Sequence, residues 1–445
     1  MKQVRPSRRQ VVAGTVAATA VTVAAPFVRT AHAAGRLNIG LWDHWVPGAN
    51  KASTAIIEEW AAKEKVEVQI DYITTQGNKL LLTEQAEALS KTGHDIMTFR
   101  CWGPGDHSRI LEPVDDIMAD LIKEQGAVAA TVEYLGKHDG HWVAIPATRG
   151  CNVKGPVARI DLLKKHAGID VQAMYPAGGE PKADAWTLDA FMDAAKACRA
   201  AGVPFGIGLG TTTDSVDSAG AIFDAFGASL VNAKGELTVK TDPVRHALDY
   251  YVRLARLLPP DAPSWDDASN NKILVAGKSA RILNPPGAWA VAKRDAPQIA
   301  EQLWSHGMPI GPKGRFTPSI PYFLGIWGFS KNKPAAKSLL RHFSQPKAVA
   351  AMVEASQGFD IPAFTSMTKL KTWEEQGPPK GTLYHYPIRD GHQKPSVAGA
   401  PAPAKIAVQI YVQGLMTKMV LRHMQGDTME KTLAWAETEL EGYMR

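Results

Sequence analysis

Between Arg36 and Phe99 the apolar residues change their period four times, and that order admits few folds. RLNIGLW (36–42) is a nearly continuous apolar run, whereas in KASTAIIEEWAAKEK (51–65) Ile56, Ile57, Trp60 and Ala61 recur at helical spacing. VEVQIDYIT (66–74) alternates, with Val66, Val68, Ile70 and Tyr72 on one side; NKLLLTEQAEALSKTG (78–93) is helical again, and HDIMTF (94–99) is a short apolar strand. Strand, helix, strand, helix, strand predicts a parallel sheet with helices on its faces. Such sheets bind ligands beyond the carboxyl ends of their strands. Here those ends carry LWDHW (41–45) and FRCWGPGD (99–106).

The first thirty-odd residues have a different character. Lys2, Arg5, Arg8 and Arg9 precede an acid-free run, VVAGTVAATAVTVAAPFV, which ends at the small-residue site Ala31–Ala33. Positive region, apolar region and cleavage site in that order predict an export signal removed after about Ala33, hence a periplasmic protein. The run is Ala-, Gly- and Thr-rich and contains Pro26, which argues against a membrane anchor. SRRQVV pairs Arg8 with Arg9 as a twin-arginine signal does; the following apolar residue is only Val11, so the general route stays open. The five basic and no acidic residues of 1–33 bring the formal charge from +6 down to +1 for the remainder. A nucleic-acid surface thereby loses its main support. Cys101, Cys151 and Cys198 are scattered, and buried, reduced cysteines are the plainest reading, although one disulfide with a free thiol is possible in an exported chain.

A chain of 445 residues exceeds what one core usually organises, so at least two lobes are expected. After DGHWVAIPATRG (139–150), a hairpin strand, the alternation restarts with the helix WTLDAFMDAAKACRAAG, the glycine-rich strand VPFGIGLG and the helix AGAIFDAFGASLV. A short strand and long helix follow in ELTVKTDPVRHALDYYVRLARLL; then come the helix NKILVAGKS and the strand ARILN. RFTPSIPYFLGIWGFSKNKPAAKSLLRHFSQPKAVAAMVEASQG reads as a strand and two helices, and the C-terminal stretch as two helices broken at Gly426-Asp427.

The order of GHWVAIPAT, PVARIDLLKKHAGID, GASLVNAKGELTVKTDPVRHALDYYVRL, VAGKSARILNPPGAWAVA and GIWGFSKNKPAAKSLLRHFSQPKAVAAM resembles the periplasmic solute-binding proteins of ATP-driven importers, in the carbohydrate-type family that includes maltose-binding protein. The resemblance implies an α/β fold of two lobes around a ligand cleft, joined by hinge crossings, and a monomer that serves the transmembrane subunits of an ABC importer. It implies lobes of about 34–147 plus 304–365 and 148–303 plus 366–445, and no cofactor or metal.

Sugars present hydroxyls around a ring and C–H bonds on its faces, so they suit tryptophan platforms beside carboxylates, amides and arginine. The candidates for ligand contact are Trp42, Asp43 and Trp45 after the first strand, Trp102 after the third, and Arg149 after the first crossing. Asp43 and Trp45 are expected to face the cleft together, with Trp42 packing beneath. In the second lobe they are Asp214 in TTTDSVDS, Trp265 and Asp266 in SWDDASNNK, and Asn284 and Trp289 in NPPGAW; Trp327 and Asp360 follow the return to the first lobe. Helix capping competes for Asp217, Ser218, Asp267 and Ser269, and core packing for Tyr322, Phe323 and Trp327.

Other chemistries are poorly supported. HDGH (138–141) suits a hairpin turn better than a metal site, and no HExxH, GxSxG or Walker sequence occurs. GIGLG lacks the helix-opening context of a dinucleotide site. Two alternatives to a sugar receptor remain: the carboxylates at 214, 217, 266 and 267 would also serve a non-sugar polyol or a cation between aromatic faces, and Asp43 with Asp266 could belong to an exported glycoside-processing or cofactor enzyme.

Overall fold

A computed structural model describes residues 35–445 apart from 152, 178, 285–286, 365, 368–369 and 376–392. The leader, with its paired arginines and cleavage site, lies outside the described residues, as does the side chain of Cys151. Cys101 and Cys198 are free and buried, and burial pushes both thiols up, Cys198 to about 11.

The opening segment folds as its periodicity predicts: β1 (Arg36–Trp42), α1 (Pro47–Glu64), β2 (Glu67–Ile73), α2 (Lys79–Ser90) and β3 (Ile96–Arg100). β1 pairs in parallel with both β2 and β3, with Ile39 opposite Ile70 and Ile96. β2 is the edge strand and exposes Glu67, Gln69 and Asp71 while Val68, Ile70 and Tyr72 are half-buried. Pro47 starts α1, whose buried Ala49, Ser53, Ile57, Trp60 and Ala61 form one face against the sheet.

The crossing strand β4 (Ile145–Cys151) leads to β5 (Pro156–Arg159). Then come α3 (Leu188–Ala200), α4 (Thr213–Phe226), α5 (Asp242–Ala255), α6 (Ser269–Val275), β6 (Arg281–Leu283), α7 (Gly287–Asp295) and β7 (Leu303–Ser305). β5 lies between β6 and β7, antiparallel to both. β8 (Gly314–Pro318) and β9 (Ile320–Ile326) follow. β9 inserts antiparallel between β3 and β4, giving a five-stranded sheet in the order β2-β1-β3-β9-β4. By strand pairing, then, the chain rejoins the first sheet at Ile320 and not at 304, because β7 is held by β5 and β8 pairs with β10 (Lys394–Ser396).

Two segments differ from their sequence reading. VPFGIGLG is no regular strand: Gly206 alone bridges to Ile282, where an added Cβ would lie 2.8 Å from the Ile282 side chain. Gly206 and Gly208 serve close approach of backbone to neighbouring side chains, and Gly210 close approach to the Pro263 carbonyl. The C-terminal part is three helices, Ala404–Val412, Leu415–Met424 and Met429–Met444, because Gly414 turns the chain at φ +59° before the expected break. HDGH is the tight turn expected, with Asp139 and Gly140 both at positive φ between paired His138 and His141. No helix among the described residues is long and apolar enough to cross a membrane.

Glu84 on α2 is 2 % exposed, and burial pushes its carboxyl up to about 8 against the pull of Arg100. A folded value above the unfolded one means that stability is complete below the ordinary carboxylate range and is lost as pH rises through about 8. Glu84→Gln should therefore gain on the wild type by about 1 kcal/mol between pH 7 and pH 9 in denaturant unfolding. Parallel pH profiles would refute this assignment.

Candidate functional site

The segment after β1 is shaped by a short hydrogen-bond network. Asp43 N donates to Ile73 O at 2.9 Å, His44 N to Asn50 Oδ1 at 3.1 Å, and Asn50 Nδ2 to Asp43 Oδ1 at 2.7 Å. His44 Nδ1 accepts from Val46 N at 2.9 Å, so its Nε2 carries the proton and donates to Asp360 Oδ1 at 3.0 Å. The strand has ended at Trp42, so side-chain alternation does not extend across 43–45. Asp43 is exposed and turned to Asn50, while Trp42 and Trp45 line one cavity.

That cavity, counted together with the open space at its mouth, spans about 420 Å³. Trp42, Trp45, Tyr322 and Phe359 supply aromatic lining, with Ile320 and Gly150; Lys154, Thr213, Asp214, Asp267 and Asn284 supply the polar lining. Trp42 is 1 % exposed and sits 4.5 Å from His44, 4.7 Å from Tyr322 and 6.0 Å from Phe359 between ring centroids. Its Nε1 is buried and has no hydrogen-bond partner among the described residues. Asp360 lies behind these rings, fully buried, and its Oδ1 also accepts from Gly150 N of the crossing at 2.8 Å. One carboxylate oxygen thus ties together the segment after β1, β4 and the segment after α8 (Pro346–Ala355).

The polar lining is built on the first turn of α4. Thr212 caps the helix, its Oγ1 accepting from Ser215 N, and Asp214 and Asp217 follow one turn apart on a shared face. Lys154, 4 % exposed and anchored by its N–H to Pro318 O at 2.7 Å, reaches both: Nζ lies 2.8 Å from Asp217 Oδ2 and contacts Asp214 Oδ1. Asn270 Nδ2 donates to Asp214 Oδ2 and the Tyr411 hydroxyl to Asp217 Oδ1 at 3.0 Å. Burial pushes Asp214 and Asp217 up from the usual carboxylate range against the attraction of Lys154. Burial alone would lower Lys154, but Asp214 and Asp217 more than offset it and hold the ammonium well above its ordinary value. Asp267 accepts through Oδ1 from Thr213 N at 3.1 Å and Thr213 Oγ1 at 3.2 Å.

The remaining candidates lie elsewhere. Arg149 is 1 % exposed; its guanidinium donates to Trp42 O and Asn50 Oδ1, both at 2.6 Å, and to Ser53 Oγ, fixing the crossing to the first lobe. Trp102 donates from Nε1 to Ala398 O at 3.0 Å, and Trp327 packs in the core with Nε1 on Glu87 Oε2 at 2.9 Å. Trp289 is carried by α7 into a small core with Val157, Ile282 and Leu303. Asp266 is exposed and accepts from Ala268 N at 3.0 Å and Ser269 Oγ at 2.6 Å, and the Ser269 bond above all lowers its carboxyl. It closes the turn before α6, and its neighbour Asp267, the expected cap, lines the cavity instead. Trp265 is half-buried and outside the lining. Of the twelve candidates the cavity gathers Trp42, Trp45, Asp214 and Asn284. Gly150, Lys154, Thr213, Asp267, Ile320, Tyr322 and Phe359 complete it; the only sequence signal for Lys154 is a lone cation between the crossing and an apolar strand.

The match to a family model settles the kinship, since residues 55–378 fit that of the bacterial extracellular solute-binding proteins. The chain belongs to that family. Solved structures similar to this solute-binding protein include maltose-bound MalE3 of T. maritima, at 18 % identity and a TM-score of 0.72 over 92 % of this chain and 99 % of that one. A sugar transporter from Arthrobacter chlorophenolicus A6 with bound laminaribiose has 17 % identity and a TM-score of 0.70 over 92 % and 99 %. A solute-binding protein from Agrobacterium vitis S4 with bound D-mannitol has 20 % identity and a TM-score of 0.68 over 92 % and 98 %. At these identities the likeness is one of fold, a two-lobed α/β receptor fold. A probable ABC transporter-binding protein of Deinococcus radiodurans is 26 % identical over 160 residues, which span 36 % of this chain and 38 % of that protein.

Proposed function

We propose that this protein is an exported receptor that closes its two lobes on a carbohydrate or sugar-like solute and delivers it to the membrane subunits of an ABC importer. The observation that carries the reading is the cavity itself, in which the rings of Trp42, Trp45, Tyr322 and Phe359 share one space with Asp214, Asp267, Thr213 and Asn284. Stacked rings receive the C–H faces of a sugar, and hydroxyls, which both donate and accept, suit a mixed polar lining. Maltose, laminaribiose and mannitol, bound by similar structures, are compatible in kind.

The proposal includes a monomer, cleavage after about Ala33, periplasmic residence, and twin-arginine or general export of the leader. Its lobe limits are those drawn from the sequence, with the return to the first lobe moved toward Ile320. It excludes glycoside hydrolysis on geometric grounds. A glycosidase flanks the scissile bond with two carboxyls, whereas the carboxylates lining this cavity, Asp214 and Asp267, both belong to the polar side around the start of α4, and Asp214 is committed to Lys154 and Asn270.

A thermal-shift panel tests it. At least one of maltose, laminaribiose, mannitol and the common monosaccharides should stabilise the protein by about 2–3 kcal/mol at a hundredfold excess over Kd. Stabilisation by quaternary ammonium compounds and by no carbohydrate would instead assign the cavity to a cation held between aromatic faces.

A further inference from the structure

Two of the three cations around the cavity are committed: Lys154 is shared by Asp214 and Asp217, and Arg149 is turned onto Trp42 O, Asn50 and Ser53. Arg100 is different. It ends β3 directly opposite Tyr322 of β9, so the two side chains leave the same face of the sheet, and Tyr322 lines the cavity. The Arg100 side chain stands beside that lining, half-buried, and among the described residues its guanidinium has no hydrogen bond and no ion pair. Holding a guanidinium partly out of water without a partner costs free energy, which an arriving anion recovers.

Burial works against the charge of Arg100, and Tyr322, Glu84, Tyr411 and Asp267 act in the opposite sense from a distance. At neutral pH three of these four are largely uncharged, since burial pushes both phenols up and pushes the Glu84 carboxyl to about 8. That leaves Asp267, on the cavity wall and out of contact with the guanidinium, its Oδ1 already taken by the Thr213 N–H and hydroxyl. Two neutral donors in the lining are also open among the described residues. Trp42 Nε1 is buried without a partner, and Asn284 Nδ2 spends one hydrogen on Asn271 Oδ1 at 3.1 Å and keeps the other.

A guanidinium accompanied by neutral N–H groups is a donor set for a carboxylate: its planar fork matches the two oxygens, and one cation balances one negative charge. A phosphate dianion would bring more charge than the set can balance. We infer that Arg100 is a specificity-determining residue that takes the carboxylate of an acidic sugar, a uronate or an aldonate, with the Trp42 N–H and the second amide hydrogen of Asn284 as the accompanying donors. This rests on the carbohydrate reading above and narrows it to sugars bearing one carboxylate. Asp267 is the one ionised group that competes for Arg100, so removing its charge should strengthen the acid.

Calorimetry at about pH 7 with matched pairs tests this: glucose and glucuronate, galactose and galacturonate, maltose and maltobionate, mannitol and mannonate. In the pair that binds most tightly, the acid should bind at least about tenfold tighter than its neutral counterpart. A smaller advantage, or none, overturns the inference and leaves the carbohydrate reading standing; binding by no member of any pair overturns that reading itself. Tighter binding of glucose 6-phosphate than of glucuronate overturns the carboxylate assignment. Arg100→Gln, checked for folding by circular dichroism, should weaken the acid about tenfold or more and its neutral counterpart by less than about threefold; equal losses would make Arg100 a structural residue and overturn the inference. Asp267→Asn should strengthen the acid relative to its neutral counterpart. A relative weakening would show Arg100 closing on Asp267 and not on the solute, which also overturns it. Should the variants fail to fold, the wild-type pairs decide alone.

Discussion

Lys154→Met should destabilise the protein by about 3–5 kcal/mol, the usual cost of removing one partner from a buried ion pair. Lys154, Asp214 and Asp217 are all nearly closed to solvent, and the two carboxylates sit one helical turn apart with no other cation in contact among the described residues. Without the ammonium, burial and mutual repulsion would force one of them to take up a proton. The urea midpoint should drop accordingly, and the loss should shrink as the pH is lowered toward 5, where protonation replaces the missing charge. Lys154→Met combined with Asp217→Asn should recover part of the loss, because the second substitution removes a charge and keeps an acceptor for the Tyr411 hydroxyl. A single substitution that costs less than about 1 kcal/mol would show the pair to be as weak as a surface one.

The second large effect separates the two tryptophans. Trp42→Ala should cost about 3–5 kcal/mol, since it empties a fully enclosed position among His44, Tyr322 and Phe359, and should abolish ligand binding as well. Trp45 is half-buried, lines the same cavity and packs against the core only in part. Trp45→Ala should lower affinity about tenfold or more while costing less than about 1 kcal/mol of stability. Denaturant unfolding and calorimetry on both variants check the contrast. Equal losses of stability would remove the distinction.

What the sequence made legible follows from where its signals are local. The segment from Arg36 to Arg100 was readable because each element's own face decides its burial: Ile57, Trp60 and Ala61 on α1, Val68, Ile70 and Tyr72 on β2. The resemblance in element order carried the two-lobed fold. VPFGIGLG misled because glycines that admit close neighbours look like those of a tight strand. At the cavity the alternation argument for Asp43 failed since β1 stops at Trp42 and the backbone turns on Asn50. Asp266 and Asp267 are indistinguishable as neighbours in sequence; only the location of Thr213 decides that one closes the local turn and the other lines the cavity. Lys154 had no pattern to mark it, because its role depends on Asp214 and Asp217, which reach it from a helix far along the chain.

The place of β9 has a consequence for the order in which the molecule can be completed. β3 and β4 are made early, yet the strand between them, with Ile326 opposite Ile96 and Ile320 opposite Cys151, comes from much later in the chain. Until Ile320–Ile326 has been synthesised, a nascent chain therefore holds two unpaired strand edges and an unfinished first core. Such non-local pairing is slow to form, so the first-made lobe cannot be finished until late in the chain, and a chain awaiting export stays open to chaperones for most of its synthesis.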